Sequence, residues 1–437
     1  MSRTTGKARF WLALVIFGLT GQVAWVVENM YFNVFIYQMF NASASQISAM
    51  VSASAIAATV TTLLIGALSD KVGRRKIFIC VGYILWGLSI AAFALVRVDV
   101  LSGLFPAASA AALGVTITII LDCVMTFFGS SANDACFNAW LTDVTDHTNR
   151  GAAEGVNAMM PLVAILTVFG GFMSFDLSKA ASWTTIFLII GCAVIAIGVL
   201  GLFLIKDTAV QIPENRHYFA NIVYGFRPSV MKQNKVLYAT LIAFAVFGIS
   251  IQIFMPYLIL YYQVSLQMDD YVLIMAPAIV LASVATAFYG RLYDRYGFMR
   301  SAMPALGLLL IGYAVLYFTR TTAPVFIGSL LMMTGYLAGM AVFGAMLRDH
   351  TPENKAGMFQ GLRIVGQVLI PGIIGPAIGS AVLKNADKVV NDDGTTSFIP
   401  NVNIFLAAAV VAVLVFATLV PILKLKKGEK SLENGNG

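Results

Sequence analysis

Three carboxylates lie inside long apolar runs of this sequence: Glu28, Asp122 and Asp134. A carboxylate at the centre of a bilayer costs roughly 2.5–3.5 kcal/mol on insertion scales, so it needs a partner, a water-filled cavity or a proton. Desolvation favours the neutral acid, and a nearby cation favours the ionised one. An acid held between these two influences can bind H⁺ or Na⁺ and release it. We predict that Glu28 and one of the two aspartates bind a cation in this way.

Polar side chains follow one face of the helix predicted around Glu28. They recur at intervals of three and four residues, which places them on the same helical face; they are Gln22, Trp25, Asn29, Asn33 and Tyr37. Amides and a phenol donate and accept hydrogen bonds, and an indole adds a flat apolar surface, so this face suits a ligand with many hydroxyl groups. The alternative is a hydrogen-bonded seam between two helices. The adjacent carboxylate favours a cavity, because a seam does not need one.

A second polar face follows the fourth apolar run. Asp122, Thr126, Ser130 and Asn133 extend over eleven residues, which is close to three helical turns, so they share one face. We predict that Asn133 contacts a bound solute. Asp134 is rotated by about 100° from Asn133 around the helix. For Asp122 the alternative is a position near water at the outer end of its helix.

The second half of the chain offers a smaller set of polar candidates. Arg363 precedes Gln367 by four residues and shares its helical face. This arginine pairs with an acid in the membrane, binds an anionic group of a solute, or extends to the inner membrane surface. The remaining candidates for solute contact are Gln252, Tyr257 and Gln263.

The elements that position these residues are membrane helices. Hydrophobic residues make up 59% of the 437-residue chain, whereas soluble domains contain about 45–50% even by a broader count. About 20 apolar residues cross the hydrocarbon layer as a helix, and lipid offers unpaired backbone groups no water. The expected fold class is therefore an all-α membrane protein. We predict twelve spans, at 10–39, 46–68, 77–96, 108–141, 156–175, 183–205, 236–264, 271–292, 301–319, 324–347, 358–383 and 402–423.

The positive charge of the chain is distributed by side of the membrane. The formal net charge is +7. If the connections alternate from an inner N-terminus, 23 of the 28 basic residues fall on the inner side. This asymmetry follows the positive-inside rule and predicts that both termini are cytoplasmic. Because topology accounts for the basic residues, they do not call for a nucleic-acid partner.

The two halves of the sequence contain an internal repeat. Residues 66–76 read GALSDKVGRRK, and 290–300 repeat the Gly, Leu, Asp and second Gly of this stretch 224 positions later. A second echo, at 206 positions, relates Asp143 to Asp349. These repeats predict two pseudo-symmetric six-helix bundles. The expected organisation is an N-terminal bundle at 1–205, a cytoplasmic linker at 206–235, a C-terminal bundle at 236–427 and a disordered tail at 428–437.

The stretch 66–76, together with the twelve runs, resembles the major facilitator superfamily. Its signature G-x-L-[AS]-D-[RK]-x-G-R-[RK]-[RK] is matched at every position between the second and third runs. The resemblance implies a transporter that exposes a midplane site alternately to the two sides. It also implies gating contacts: Asp70 faces a helix end of the opposite half, and Arg74 pairs with Asp143. The alternative is a loop that sets topology and nothing more. The positions assigned to gating are Gly66, Asp70, Gly73, Arg74, Asp143 and Asp294.

The ends of the fourth and tenth runs, at 140–151 and 349–361, resemble the glycoside–pentoside–hexuronide:cation symporters and related sugar transporters. The implied function is symport of H⁺ or Na⁺ with a small polar solute, a sugar or glycoside. The alternative is proton-coupled efflux of amphipathic compounds, which the 19 Met and 30 Phe keep open. The fourth run has no basic residue and 151–175 lacks the Gly-Pro antiporter signature, which disfavours the efflux alternative.

The sequence contains no catalytic constellation. Its three histidines fall in predicted connections without a Cys or an acid at metal-ligand spacing, and no Walker loop is present. The four cysteines lie inside apolar runs, as small buried hydrophobic residues do. We therefore expect no enzyme activity, no cofactor and no metal. The expected partners are a small solute, a coupling cation and the lipid of the inner (plasma) membrane, and the expected state is a monomer.

Overall fold

The computed structural model describes residues 2–103, 107–145, 150–206, 224–268, 270–351, 356–391 and 394–435. These residues are almost entirely helical. The helices of the first half are α1 (Ser2–Val26), α2 (Phe32–Phe40), α3 (Ala44–Val72), α4 (Arg75–Ala92), α5 (Val98–Ser102), α6 (Ala107–Gly129), α7 (Asn138–Val144), α8 (Arg150–Phe172) and α9 (Ala180–Leu204).

The second half has the same helical character. Its helices are α10 (Pro228–Gln233), α11 (Lys235–Phe254), α12 (Leu258–Leu260), α13 (Tyr271–Phe318), α14 (Thr322–Asp349), α15 (Ala356–Ile364), α16 (Ile370–Val382) and α17 (Asn403–Gly435). A two-stranded hairpin, β1 (Lys388–Val390) and β2 (Thr396–Phe398), precedes α17. Short 3₁₀ turns lie at Phe93–Leu95, Tyr224–Phe226 and Met255–Tyr257.

Eleven helical segments among the described residues are long and apolar enough to cross a membrane. Segments that are continuous across a short π-helical turn count as one. We number them in chain order as span 1 (Ala8–Phe40), span 2 (Ala44–Gly66), span 3 (Arg75–Leu95), span 4 (Ala110–Val144), span 5 (Gly155–Phe172), span 6 (Ala180–Leu204), span 7 (Lys235–Ser265), spans 8 and 9 (Tyr271–Phe318), span 10 (Thr322–Asp349), span 11 (Gly361–Val382) and span 12 (Asn403–Leu425).

The segment Tyr271–Phe318 contains two spans because glycine breaks it. Its 48 residues would extend about 72 Å as one helix, more than twice the hydrocarbon thickness. Gly297 has φ 78° and ψ 179°, a non-helical conformation inside this segment. Only glycine adopts such angles without a steric penalty. The parts at 271–296 and 298–318 therefore account for spans 8 and 9, so the structure is compatible with the twelve predicted spans.

Local sequence also determines the turn between spans 1 and 2. Asn41 has a left-handed conformation at the end of α2. Ser43 Oγ then accepts a hydrogen bond from Gln46 N at 3.3 Å, and Gln46 Oε1 accepts one from Ser43 N at 2.8 Å. This reciprocal capping box satisfies two backbone donors that a helix start leaves unpaired.

The chain divides into two compact units. Unit 1 comprises Met1–Arg216 with Val389–Ser397, and unit 2 comprises His217–Lys388 with Phe398–Gly437. Of the predicted linker 206–235, residues 207–223 lie outside the described residues, and the remainder contains the 3₁₀ turn Tyr224–Phe226 and α10. The last helix continues to Gly435, where a disordered tail was predicted. Disorder of the tail at 428–437 stays a prediction.

Each unit has an aromatic interior and an apolar exterior. Trp86, Trp183 and Tyr83 are fully buried in unit 1, and Tyr257 and Tyr313 are fully buried in unit 2. Large apolar side chains are also exposed along the spans, such as those of Leu88, Ile120, Phe203, Ile242 and Phe318. A soluble protein rarely exposes so much contiguous apolar surface, whereas lipid solvates it. The chain is a multi-pass membrane protein.

Candidate functional site

In the part of the chain that the structure describes, four π-helical turns interrupt the spans, and each carries or adjoins predicted site residues. They are Val27–Tyr31 in span 1, Ser130–Phe137 in span 4, Tyr261–Ser265 in span 7 and Val365–Leu369 in span 11. A π-helical turn adds one residue to the helical ladder and is frequent at functional sites. The first turn carries Glu28 and Asn29, and the second carries Asn133 and Asp134. Gln263 and Gln367 lie in the other two.

Glu28 is buried in unit 1, with 6% of its surface exposed. Its Oε1 accepts hydrogen bonds from Ser54 Oγ of span 2 at 2.6 Å and from Thr126 Oγ1 of span 4 at 2.9 Å. The two hydroxyl oxygens are themselves 2.9 Å apart. Its Oε2 is buried and has no hydrogen-bond partner among the described residues. Three spans therefore meet at one carboxyl group.

Asp122 is buried in the same unit, with 2% of its surface exposed. This excludes the alternative in which it contacts water at the outer end of its helix. Its Oδ1 has no hydrogen-bond partner in the described part of the chain. The carboxyl groups of Asp122 and Glu28 are close enough to interact electrostatically. An unpaired charge at such a position is costly, so the pair is suited to binding a proton or another cation.

Asp134 forms the third acidic position of this cluster. Its Oδ2 accepts a hydrogen bond from Ser130 Oγ at 3.1 Å, and it interacts electrostatically with Glu28. The indole N–H of Trp25 faces Asp134, but it does not meet hydrogen-bond geometry. The Trp25 ring lies against Trp86, with centroids 5.1 Å apart. Both indole N–H groups are buried and lack a hydrogen-bond partner among the described residues, so unit 1 contains two unpaired indole donors.

The predicted polar face of span 1 is partly used by its own helix. Asn29 Nδ2 donates to Trp25 O at 2.8 Å, and Asn33 Nδ2 donates to Asn29 O at 3.1 Å. The Asn33 Oδ1 is buried without a hydrogen-bond partner in the described residues. Tyr37 is buried near the C-terminal end of span 1 and forms a hydrogen bond with Ser397 of the hairpin. Gln22 is half-buried.

Asn133 lies at a tight helix crossing. Its amide faces Gly21 so closely that a Cβ there would be 2.6 Å from Asn133 Nδ2. The Asn133 Oδ1 is 3.3 Å from the hydroxyl of Tyr83, which also donates to Phe17 O at 2.9 Å. These contacts resemble the helix–helix seam that the sequence left open for span 1.

The candidates of unit 2 differ in their pairing. Tyr257 is fully buried, and its hydroxyl donates to Pro376 O at 3.4 Å. Gln252 packs its Cβ against Gly375, and Gln263 Oε1 is buried without a partner. Arg363 Nε is also buried and unpartnered among the described residues, and Arg363 interacts electrostatically with Arg348. The described residues provide no acid within ion-pair distance of Arg363.

An ion pair joins the start of span 3 to the end of span 4, and its arginine differs from the one predicted from the sequence. Arg75, not Arg74, pairs with Asp143, with Nε 3.0 Å from Oδ2. Arg75 also donates to Ser69 Oγ at 2.6 Å and is buried, whereas Arg74 is exposed. The reason is Gly73, which ends α3 with φ 67° and so changes the helical phase before α4 begins.

The other residues assigned to gating have simpler surroundings. Gly66 is half-buried, and a Cβ there would meet Ala135 at an ordinary 3.9 Å. The side chain of Asp70 lies outside what the structure describes. Asp294 is exposed in unit 2. Beside it Tyr293 donates to Asp349, the acid that the repeat relates to Asp143.

Sequence reasoning missed Ser54, Tyr83, Trp86 and Arg75. Ser54 lies in a run of small residues in span 2 without polar periodicity, so nothing in the sequence distinguishes it from its neighbours. No group of three His, Cys, Asp or Glu residues able to hold a metal occurs in the described ranges.

The superfamily model for major facilitator transporters matches residues 10–376. The chain belongs to the major facilitator superfamily. It is a membrane transporter and not an enzyme, and its resemblance to this superfamily is confirmed. The polar groups described above therefore lie within the spans of a membrane transporter. Among curated protein sequences, none matches this chain.

Solved structures of similar shape are transporters of the same fold. The nucleoside transporter NupG, as a point mutant, superposes with a TM-score of 0.73 at 13% identity, covering 94% of this chain and 99% of that chain. The D-xylose-proton symporter gives 0.68 at 15%, covering 94% and 96%. A bacterial homolog of the human lysosomal transporter Spinster, inward-facing and occupied, gives 0.71 at 12%, covering 96% and 97%. At these identities the likeness shows the fold.

Proposed function

We propose that this transporter is a symporter that couples H⁺ or Na⁺ to uptake of a small polar solute, a sugar or glycoside. The observation that carries the proposal is the acidic cluster of unit 1. Glu28, Asp122 and Asp134 lie together within the spans, and no cationic side chain among the described residues faces them. Charges of this kind are costly in a membrane and mark ion pathways.

The polar groups beside the acids support a hydroxyl-rich solute. The unpartnered Trp25 and Trp86 N–H groups and the Asn33 carbonyl oxygen are buried donors and an acceptor in the same unit. Leaving such groups without a partner costs about 1–3 kcal/mol each, which a bound polar solute recovers. The indole rings add flat surfaces for the apolar face of a sugar ring.

In unit 2 we propose the remaining solute contacts. Gln263 Oε1 and Arg363 Nε are two of the four buried side-chain atoms of unit 2 that lack a hydrogen-bond partner among the described residues. Because no described acid pairs with Arg363, its guanidinium is free to bind an anionic or strongly polar group of the solute. Gln252, Tyr257 and Gln367 are assigned secondary roles, since Tyr257 already donates to a backbone carbonyl.

We further propose that the stretch 66–76 and its repeat act in gating as the two sides open alternately. Gly66, Asp70, Gly73 and Asp143 contribute in unit 1, and Asp294 contributes in unit 2. The proposed location is the inner (plasma) membrane with both termini cytoplasmic. The proposed state is a monomer without cofactor or nucleic acid.

Uptake by proteoliposomes tests this function. The purified protein is reconstituted, a ΔpH or Na⁺ gradient is imposed, and accumulation of labelled sugars, glycosides and organic ions is measured. Glu28→Gln is the matched variant, because it removes the charge and keeps the shape. We expect gradient-driven accumulation of a sugar that the variant loses. Failure of every sugar to accumulate, together with gradient-driven extrusion of a lipophilic cation, would establish the efflux alternative.

A further inference from the structure

The oxygen atoms around Glu28 form a closed triangle. Ser54 Oγ and Thr126 Oγ1 lie 2.6 and 2.9 Å from Glu28 Oε1, and 2.9 Å from each other. All three separations are hydrogen-bond distances for O–H···O pairs. The three groups come from spans 1, 2 and 4, so backbone geometry does not force them together.

If all three contacts of this triangle are hydrogen bonds, the triangle needs three hydrogens. Ser54 and Thr126 supply one hydroxyl hydrogen each, and an ionised carboxylate supplies none. Two hydrogens leave one of the three oxygen pairs in contact without a bond. A proton on Glu28 Oε1 supplies the third hydrogen, so that Glu28 donates to one hydroxyl, that hydroxyl donates to the other, and the other donates back to Oε1. Such a ring satisfies all three contacts, and its bonds reinforce one another.

The same spacing disfavours a bound metal cation. Ca²⁺, an ion close in size to Na⁺, binds oxygen ligands at about 2.3–2.6 Å, so neighbouring ligands at right angles lie roughly 3.3 Å or more apart. The oxygens around Glu28 are separated by 2.6 to 2.9 Å. A Na⁺ ion would have to spread all three oxygens, whereas a proton fits the spacing as it stands.

The charged groups that face Glu28 favour the same ion. Asp122 from α6 and Asp134 from the π-helical turn of span 4 both interact with it. Span 2 presents the uncharged Ser54. No cation among the described residues offsets these acids, and Glu28 Oε2 and Asp122 Oδ1 are buried without partners. A proton on Glu28 removes one negative charge from this group.

We propose that Glu28, Ser54 and Thr126 form a proton-selective ring, in which Glu28 holds the coupling ion as a proton. Ser54 and Thr126 are positioning residues that set selectivity for H⁺ over Na⁺. The coupling role of Glu28 rests on the proposed function, whereas proton binding by the ring does not.

Infrared difference titration tests the ring without any solute. The reconstituted protein is titrated with acid, and the carbonyl band of a protonated buried carboxyl is followed in the wild type and in Glu28→Gln. We expect a band that Glu28→Gln lacks and that does not change when Na⁺ replaces choline at constant pH. Loss of that band on adding Na⁺ would show competition at Glu28 and overturn the proposal.

Substitutions of the hydroxyls test the positioning role. Ser54→Ala and Thr126→Val open the ring, so the midpoint pH of the Glu28 band should move by about one unit or more. Ser54→Thr keeps the hydroxyl and should restore the midpoint. Thr118→Val is the matched control, because Thr118 is fully buried on the same helix and donates to Gly114 O. An unchanged midpoint in folded Thr126→Val protein would contradict the ring.

Transport measurements separate this inference from the proposed function. Accumulation driven by ΔpH and unaffected by a Na⁺ gradient supports both. Accumulation driven by Na⁺ at clamped pH keeps symport and overturns the proton ring. If the infrared result holds and no solute accumulates, the ring stands and the symport proposal fails.

Discussion

The interiors of the two units differ in the kind of polar group that they bury. In unit 1, Glu28 and Asp122 are buried acids with oxygens that lack partners among the described residues. Unit 2 buries no acid among the described residues: some of its buried hydroxyls are paired, Tyr262 with Ser329 and Tyr313 with Ser250, and the hydroxyls of Thr240 and Tyr261 lack a partner there. A paired neutral network rigidifies a helix bundle, whereas an unpaired acid is an ion-binding group. Although the sequence repeats, buried acids occur in unit 1 and not among the described residues of unit 2.

A similar contrast occurs near the repeated turns of the two units. Gly73 and Gly297 occupy equivalent repeat positions, and both have positive φ. In unit 1 the acid Asp143 pairs with buried Arg75. In unit 2 the equivalent acid, Asp349, accepts from Tyr293. The backbone turn is therefore repeated, while an ion pair in one unit is replaced by a hydroxyl contact in the other.

The largest expected effect comes from neutralising the acids of unit 1. Asp122→Asn and Asp134→Asn should each reduce gradient-driven accumulation to the level without a gradient, because each removes a negative charge that favours cation binding by the acidic cluster. Exchange of labelled for unlabelled solute should persist. Accumulation and exchange are measured in the same proteoliposomes.

A unit 2 variant provides the control for this contrast. Gln263→Ala removes a polar contact and no charge, so it should keep coupling and weaken the apparent affinity by up to about tenfold, or 1.4 kcal/mol. If Glu28→Gln, Asp122→Asn and Asp134→Asn all accumulate solute as the wild type does, the assignment of coupling to unit 1 is wrong.

The next largest effect is expected on the free energy of unfolding, when the ion pair between Arg75 and Asp143 is removed. Arg75→Ala leaves Asp143 and Ser69 without their partner and should lower the free energy of unfolding by about 1.5–3 kcal/mol. Tyr293→Phe should cost less than about 1 kcal/mol, because exposed Asp349 can bind water instead. Thermal unfolding in detergent measures both.

Arg74→Ala is the matched control for the ion pair. Arg74 is exposed, and substitutions at such surface positions usually change stability by no more than about 0.5 kcal/mol. A larger loss in Arg74→Ala than in Arg75→Ala would restore the pairing predicted from the sequence.

A smaller effect on the free energy of unfolding is expected from substitutions in the repeated turn. Unit 2 should be more sensitive to them than unit 1. Gly297→Ala should cost about 1–3 kcal/mol, since φ 78° with ψ 179° is a region that glycine alone occupies. Gly73→Ala should cost about 1–2 kcal/mol, because its angles are ordinary left-handed helix. No atom lies within 4 Å of a Cβ at Gly297, so its cost reports backbone strain alone. Equal stability of Gly297→Ala and the wild type, by the same unfolding measurement, would rule out that strain.

The smallest expected effect concerns an exposed acid of unit 1 outside the spans. Hydrogen bonds from the Ser178 side chain, and then from Lys179, lower the pKa of Asp176 to about 2. The unfolded value is about 3.9, so any stabilisation is present above pH 4 and is lost as the pH falls towards 2. Asp176→Asn should differ from the wild type by the same amount at pH 5 and pH 8. A difference that changes between these two values, in unfolding midpoints, would show that this acid is not already ionised at pH 5.

The sequence by itself determined the membrane helices, the internal repeat and the presence of acids within the spans. These follow from local properties: apolar length, glycine at turns and residue type. Helical periodicity also placed Gln22, Trp25 and Asn33 on one face. It did not reveal the π-helical turns, which change that phase by inserting one residue and depend on packing against neighbouring helices.

Only the tertiary structure decided which groups meet. Periodicity gives the face of a residue on its own helix, but not the neighbouring helix that the face contacts. Ser54 reaches Glu28 because span 2 packs beside spans 1 and 4, and its sequence neighbourhood gives no sign of this. Arg75 replaces Arg74 as the partner of Asp143 because the left-handed Gly73 resets the helical phase, and one residue turns a helical side chain by about 100°.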